Sequence, residues 1–272
     1  MNVRRIGMVA VAAAAVLGLA ACGGGGAGAG DFKIGVKYDQ PGMGLKDGAK
    51  YTGFDIDVAK YVAKELGHSE SDITFVQAPT PQRETLLSTG QVNLVVGTYS
   101  ITDARKQKVS FAGPYFVAGQ DLLVRSDDTS ITGPDSLTGK KLCSVKGSTS
   151  AAKVKDKYAG VQLQEYDTYS KCVEALSAGA VDALTTDNTI LAGYASQPQY
   201  KGKLKVVGQT FSEERYGIGI KKGDKALCEK IDTAIKKMQD SGEWQKAIDR
   251  NLGPAGFKVD TSQNPPKVDT CS

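Results

Sequence analysis

Two extended, glycine-flanked runs set the architecture: Gly119-Gln120-Asp121-Leu122-Leu123-Val124 and Glu214-Arg215-Tyr216-Gly217-Ile218-Gly219-Ile220. They bracket about 90 residues, and strand-like and helix-like stretches alternate inside and outside the bracket. A chain that leaves one body by an extended run and returns by another makes two bodies joined by two strands. The expectation is two α/β lobes, lobe 1 from 31–122 plus 212–272 and lobe 2 from 123–211. About 240 residues suffice for two lobes of ordinary size. Strand–helix alternation predicts parallel sheets with helices on both faces. Such sheets bind ligands beyond the carboxyl ends of their strands. The cleft between the lobes is the expected site, and the two strands the expected hinge for closure around a ligand.

Local patterns fill this frame. Phe32, Ile34, Val36 and Tyr38 alternate with Lys33, Gly35 and Lys37, the period of a half-buried strand. Phe54, Val58, Val62 and Leu66 mark one face of a helix that Gly67 ends. A strand over 73–76, a helix over 83–89 stopped by Gly90, and the buried run Leu94-Val95-Val96 follow. In lobe 2, strands are expected over 141–145, 161–165 and 181–185, and helices over 148–158, 168–177 and 188–195. Leu227, Ile231, Ala234 and Met238 share a face of a helix over 224–241, and a final helix over 243–251 carries Trp244. From Gly253 the chain is Pro-rich and polar, so an irregular tail is expected.

The N-terminus carries Arg4 and Arg5, then an apolar run from Ile6 to Ala21, closing on Leu19-Ala20-Ala21-Cys22. This pattern makes 1–21 a secretory signal peptide. About 16 apolar residues fall short of the ~20 a membrane span needs. With the Cys directly after small residues, the segment resembles a bacterial lipoprotein signal. The resemblance implies cleavage before Cys22, acylation of its thiol, and a protein lipid-anchored to the outer face of the cell membrane. Residues 22–30 would be the anchor and a Gly-rich flexible linker. The Gly-x-Gly-x-x-Gly spacing within that linker has no strand before it and carries no dinucleotide argument. Loss of the two arginines takes the formal charge from +4 to about +2, too weak to argue for nucleic acid as a partner.

Apart from Cys22 there are four cysteines, Cys143, Cys172, Cys228 and Cys271, and a single His. None has metal-finger spacing, so neither a metal site nor a cofactor is expected. Disulfides fit an oxidising compartment. Four cysteines allow three pairings, which sequence leaves open. The lobe division favours Cys143–Cys172 and Cys228–Cys271, since each stays within one lobe and leaves the hinge free.

Gly53-Phe54-Asp55-Ile56-Asp57-Val58-Ala59, Gly97-Thr98-Tyr99-Ser100-Ile101-Thr102-Asp103-Ala104-Arg105 and Phe111-Ala112-Gly113-Pro114-Tyr115-Phe116 resemble the signatures of polar amino-acid solute-binding proteins of ABC uptake systems (family 3). Val36-Lys37-Tyr38-Asp39-Gln40-Pro41-Gly42 and Gln82-Arg83-Glu84-Thr85-Leu86 resemble the glutamate/aspartate-binding lipoproteins of Gram-positive (actinobacterial) bacteria. The resemblance covers 31 to about 252. It implies a two-lobed periplasmic-binding-protein fold of type II, and an acidic amino acid, L-glutamate or L-aspartate, delivered by a monomer to an ABC permease.

It also implies residue roles. Arg105 would clamp the ligand's α-carboxylate with its two-donor fork, helped by Thr98, Ser100 and the Arg105 amide. Asp187, at the end of a lobe 2 strand, would accept the α-ammonium, although the same residue can cap the helix that follows. Ser148 and Thr149, in the turn after Gly147, would close over the α-carboxylate with free helix amides; Ser148 could equally cap its helix. Lys37 and Arg83 would meet the side-chain carboxylate, and Tyr169 would add a lobe 2 contact. Three cations against one carboxylate at Asp187 suit a ligand with two carboxylates and one ammonium, since an unpaired buried charge is costly.

Other readings stay open. Some proteins of this fold are dehydratases or lyases, and some lipoproteins that bind an amino acid signal to a kinase. Glutamine or asparagine could replace the acidic ligand, being nearly the same shape. His68 follows a helix-ending glycine as a solvated loop residue, and no Ser or Cys partner for it is evident, so a binding protein is favoured over an enzyme.

Overall fold

The computed structural model describes residues 31–271. The signal segment 1–21, Cys22 and the linker 22–30 therefore lie outside the described residues. The chain begins with β1 (Phe32–Val36), then a small antiparallel sheet of β2 (Asp39–Gln40), β3 (Gly44–Asp47) and β4 (Lys50–Thr52). Next come α1 (Phe54–Glu65), β5 (Ile73–Gln77), α2 (Arg83–Ser88), β6 (Leu94–Val95), α3 (Asp103–Lys106) and β7 (Val109–Ala118). The second lobe holds β8 (Gln120–Arg125), β9 (Lys141–Val145), α4 (Thr149–Lys157), β10 (Gln162–Tyr166), α5 (Tyr169–Ser177), β11 (Ala183–Asp187), α6 (Asn188–Ala195) and β12 (Leu204–Val206). The chain returns through β13 (Glu214–Lys221) and ends with α7 (Lys225–Asp240), α8 (Glu243–Asn251) and the tail.

Two five-stranded sheets result, ordered β5–β1–β6–β13–β7 and β10–β9–β11–β8–β12. The all-parallel expectation is corrected here. β1 runs parallel to β5 and β6, and β9 to β10 and β11, but β13 is antiparallel to β6 and β7, and β8 to β11 and β12. The reason is topological: strands that carry the chain out of a lobe and back must run in opposite directions. β7 passes into β8 at Gly119, and the returning segment lies beside it, with Phe211 N donating to Gln120 O at 2.9 Å and Glu214 paired with Ala118. A Cβ at Gly119 would stand 2.7 Å from the Thr210 side chain, so glycine permits this close approach.

The first lobe's core is aromatic. Trp244 of α8 meets Phe54 of α1 edge-on and stacks on Phe116 of β7, and its indole N–H donates to Tyr115 O at 2.8 Å. The tail covers the outer edge of β7: the Asn264 amide pairs both ways with the Val117 backbone at 2.9 Å, and Asp269 N donates to Gly113 O at 2.9 Å. Covering the edge in this way prevents pairing with another chain. Cys228 of α7 bonds to Cys271, and Cys143 of β9 to Cys172 of α5. His68 is not the free loop residue expected. It is half-buried and stacks on Phe32, with ring centroids 3.9 Å apart.

Candidate ligand cleft

Where the lobes face each other, a small polar cavity is lined by Thr80, Arg83, Thr98, Ser100 and Arg105 from the first lobe, and by Ser148, Thr149, Tyr169, Asp187 and Ile190 from the second. Eight of the nine expected site residues are thus brought together. The ninth, Lys37, lines an adjoining small cavity with Thr80 and Tyr169. Its ammonium donates to Thr80 Oγ1 at 2.6 Å.

Arg105 lies on the short α3, whose N-cap Thr102 accepts the Arg105 amide at 3.2 Å. That amide, expected as a ligand donor, is therefore already used. The guanidinium donates to Ser100 O at 2.7 Å and across the cleft to Gly147 O at 3.2 Å, with Glu84 Oε1 3.6 Å from Nε. Thr98 has a positive φ of 42°, unusual for a β-branched residue. Asp55 supports that backbone, accepting the Thr98 amide at 2.9 Å and the Tyr115 hydroxyl at 2.7 Å. Arg83, the first residue of α2, is 2% exposed and donates to the carbonyls of Thr80, Gly97 and Thr98 at 3.3, 3.1 and 3.4 Å.

In the second lobe, Gly147 takes φ 76°, and Ser148 caps α4 by accepting Ala151 N at 2.9 Å. Thr149 donates to Glu214 Oε2 at 2.8 Å, and Lys153 donates to Glu214 Oε1 at 3.3 Å. Asp187 occupies the N-cap position of α6 without a side-chain cap bond. Its carboxylate instead accepts the Tyr216 hydroxyl at 2.6 Å. Tyr169 opens α5, and its amide donates to Asp39 Oδ2 at 3.1 Å.

The cavity is electrostatically loaded. Burial, with Arg83 nearby, pushes the Lys37 ammonium down to about 7, and burial with Arg105 nearby lowers Arg83 to about 10. Burial, with Glu214 nearby, raises Asp187 to about 8, and burial raises Asp55 to about 7 despite its hydrogen bonds. Each shift is the mark of a charge removed from water without enough opposite charge beside it. The count of three cations against Asp187 alone is corrected: Asp55, Glu84 and Glu214 also adjoin the site. Nothing in the hydropathy pattern distinguishes these acids from surface ones, although Asp55 stands in the Gly-Phe-Asp motif and Glu214 opens a crossing run.

The geometry is that of a two-lobed α/β fold with a small polar cavity between its lobes. The chain belongs to the bacterial extracellular solute-binding proteins, family 3, whose pattern it matches over residues 32–254. It is accordingly a binding protein and not an enzyme. It is 47% identical to the glutamate-binding protein GluB of Corynebacterium glutamicum over 242 residues, 85% of this chain and 81% of that protein. It is 36% identical to the glutamine-binding protein GlnH of Bacillus subtilis, an ABC transporter component, over 78% of both chains. Among solved structures, an ancestral arginine-binding protein bound to glutamine matches with a TM-score of 0.75 and 37% identity, over 82% of this chain and 97% of that one. The L-cysteine receptor of Neisseria gonorrhoeae gives 0.76 at 27% identity, over 87% and 94%.

Proposed function

We propose that the protein captures an acidic amino acid, L-glutamate or L-aspartate, in the cleft and delivers it to an ABC permease. One observation carries this reading: Arg83 and Arg105 line one small polar cavity that also holds Asp187, and buried Lys37 lines the cavity adjoining it. Buried cations of this kind are stabilised by a bound anion. The 47% identity to a glutamate-binding protein supports the same choice, above the 36% to a glutamine-binding one.

Arg105 takes the α-carboxylate, exchanging its carbonyl partners for a two-pronged contact, with Thr98 and Ser100 alongside. Asp187 takes the α-ammonium, which would return its carboxyl to the ionised form. Lys37 and Arg83 take the side-chain carboxylate, while Ser148, Thr149 and Tyr169 close from the second lobe. The bodies 31–122 plus 212–272 and 123–211 rotate about the crossing strands, and the ligand favours closure by contacts made only when shut. The protein works as a monomer, held at the outer face of the membrane by an acylated Cys22. Incorporation of a labelled fatty acid, lost in Cys22→Ala, tests the anchor.

Titration calorimetry on the compact unit starting at Asp31 with L-Glu, L-Asp, L-Gln, L-Asn and L-Arg tests the ligand. Micromolar or tighter binding of Glu or Asp with Arg silent is expected. Arg83→Ala should erase most of the preference for an acidic side chain while leaving amino-acid binding. A preference for Gln or Asn would overturn the acidic reading.

A further inference from the structure

We propose that Tyr99, which does not line the cavity, is the positioning residue for acidic selectivity: its ring carries the Arg83 and Arg105 guanidinium groups and fixes where a second ligand carboxylate must sit. The inference rests on the acidic-ligand reading above.

Tyr99 is fully buried. The Arg83 guanidinium carbon lies 4.0 Å from its ring centroid, and that of Arg105 lies 5.1 Å away. Both distances fall within the reach of a cation–π contact, which strengthens when water is excluded. Among the described residues no carboxylate lies within 4.0 Å of Arg83, while Arg105 has Glu84. The hydrogen bonds of Arg83 go to three carbonyls at 3.1 to 3.4 Å, long for N–H···O bonds. The two guanidinium groups also repel each other. The electron-rich ring lies against both guanidinium groups and offsets part of the charge of each.

The ring is itself held firmly. Phe111 packs edge-on at 4.8 Å between centroids, and Gly219 leaves it room, since a Cβ there would stand 2.7 Å from Tyr99 Cε1. Tyr99 therefore transmits a fixed position from the core of the first lobe to two cations in the cleft. An amide side chain on the ligand needs this alignment less than a carboxylate does, because only the carboxylate gains from both positive charge and a paired donor set.

The test is the ratio of L-glutamate to L-glutamine affinity, measured by calorimetry together with Tm. Tyr99→Phe keeps the π face and is expected to hold the ratio within about twofold of wild type. Tyr99→Leu keeps an apolar filler without the π face and is expected to lower the ratio about tenfold. Fluorinated phenylalanines incorporated at position 99 drain the face while keeping the shape, so they decide the matter even where Tyr99→Leu fails to fold. A ratio that falls stepwise with fluorination supports the proposal. Wild-type selectivity retained through the fluorinated series would overturn it alone. A wild-type protein that binds glutamine as tightly as glutamate would overturn the acidic reading and this proposal together.

Discussion

Gly193 of α6 and the carbonyl oxygen of Pro41, from opposite lobes, approach so closely that a Cβ at 193 would overlap that oxygen. Closure in this conformation therefore requires glycine at 193. Inside a helix alanine is otherwise the better residue by about 1 kcal/mol. Gly193→Ala should leave ligand-free stability unchanged or slightly raised, yet weaken ligand binding at least about tenfold by propping the lobes apart. Calorimetry and thermal melting on the same sample check this; an unchanged affinity would mean that the lobes do not need this contact.

Removing the fork should be more severe. Arg105→Ala is expected to weaken binding of every amino acid by about 100-fold or more, since charge-assisted hydrogen bonds contribute about 1.5–3 kcal/mol each. Arg105→Lys should recover little, because an ammonium cannot present two parallel donors. Equal affinity of wild type and Arg105→Ala would remove Arg105 from the α-carboxylate role.

Ligand-free stability should depend on pH in a specific direction. Burial, then Glu214, raises Asp187 from 3.8 to about 8 in the folded protein, and burial raises Asp55 from 3.8 to about 7. Between about pH 4 and 8 the native state binds more protons than the unfolded chain, so stability falls as pH rises. Lys37, lowered from 10.5 to about 7, acts oppositely and only above about pH 7. Asp187→Asn should therefore flatten the decline, its Tm falling about 8–16 °C less than that of wild type between pH 5 and 8. Parallel melting curves would show that Asp187 is ionised in the ligand-free protein.

The second lobe leans on its disulfide. Cys143 and Cys172 are 29 residues apart, and a loop of that size is worth about 3–4 kcal/mol in the chain-entropy model. Replacing both by serine should lower the denaturant midpoint accordingly and leave the ligand-contacting residues in place. Chemical unfolding of the double variant measures the loss.

Much of the fold is legible because local pattern and tertiary role coincide. Phe54, Val58 and Val62 recur at helical spacing, and all three are buried in α1. Thr168 and Asp224 announce their helices as caps, each accepting a main-chain N–H of its helix. β7 was not legible: all ten of its residues are buried, so no alternation exists to read, and Gly113-Pro114 within it looks like a turn. The cleft divides in the same way. Arg105 and Asp187 stand in recognisable local settings, whereas the supports beneath them do not. Asp55 reaches Thr98 across 43 residues, and Thr149 reaches Glu214 across 65. Such pairings are made by lobe packing and leave no periodic trace.

The position of β13 has a consequence for how the protein is made. It sits between β6 and β7 in the first sheet, yet it is synthesised after the whole of β8–β12. Until it arrives, β6 and β7 have no common neighbour and each shows an open edge, the kind of surface that invites aggregation. The second sheet is drawn from one continuous stretch and has no such debt to the C-terminus. A chain emerging N-terminus first can therefore complete the later-encoded lobe before the earlier one. The first lobe becomes a whole body only when its final strand threads home, with the tail and Cys271 sealing the far edge last.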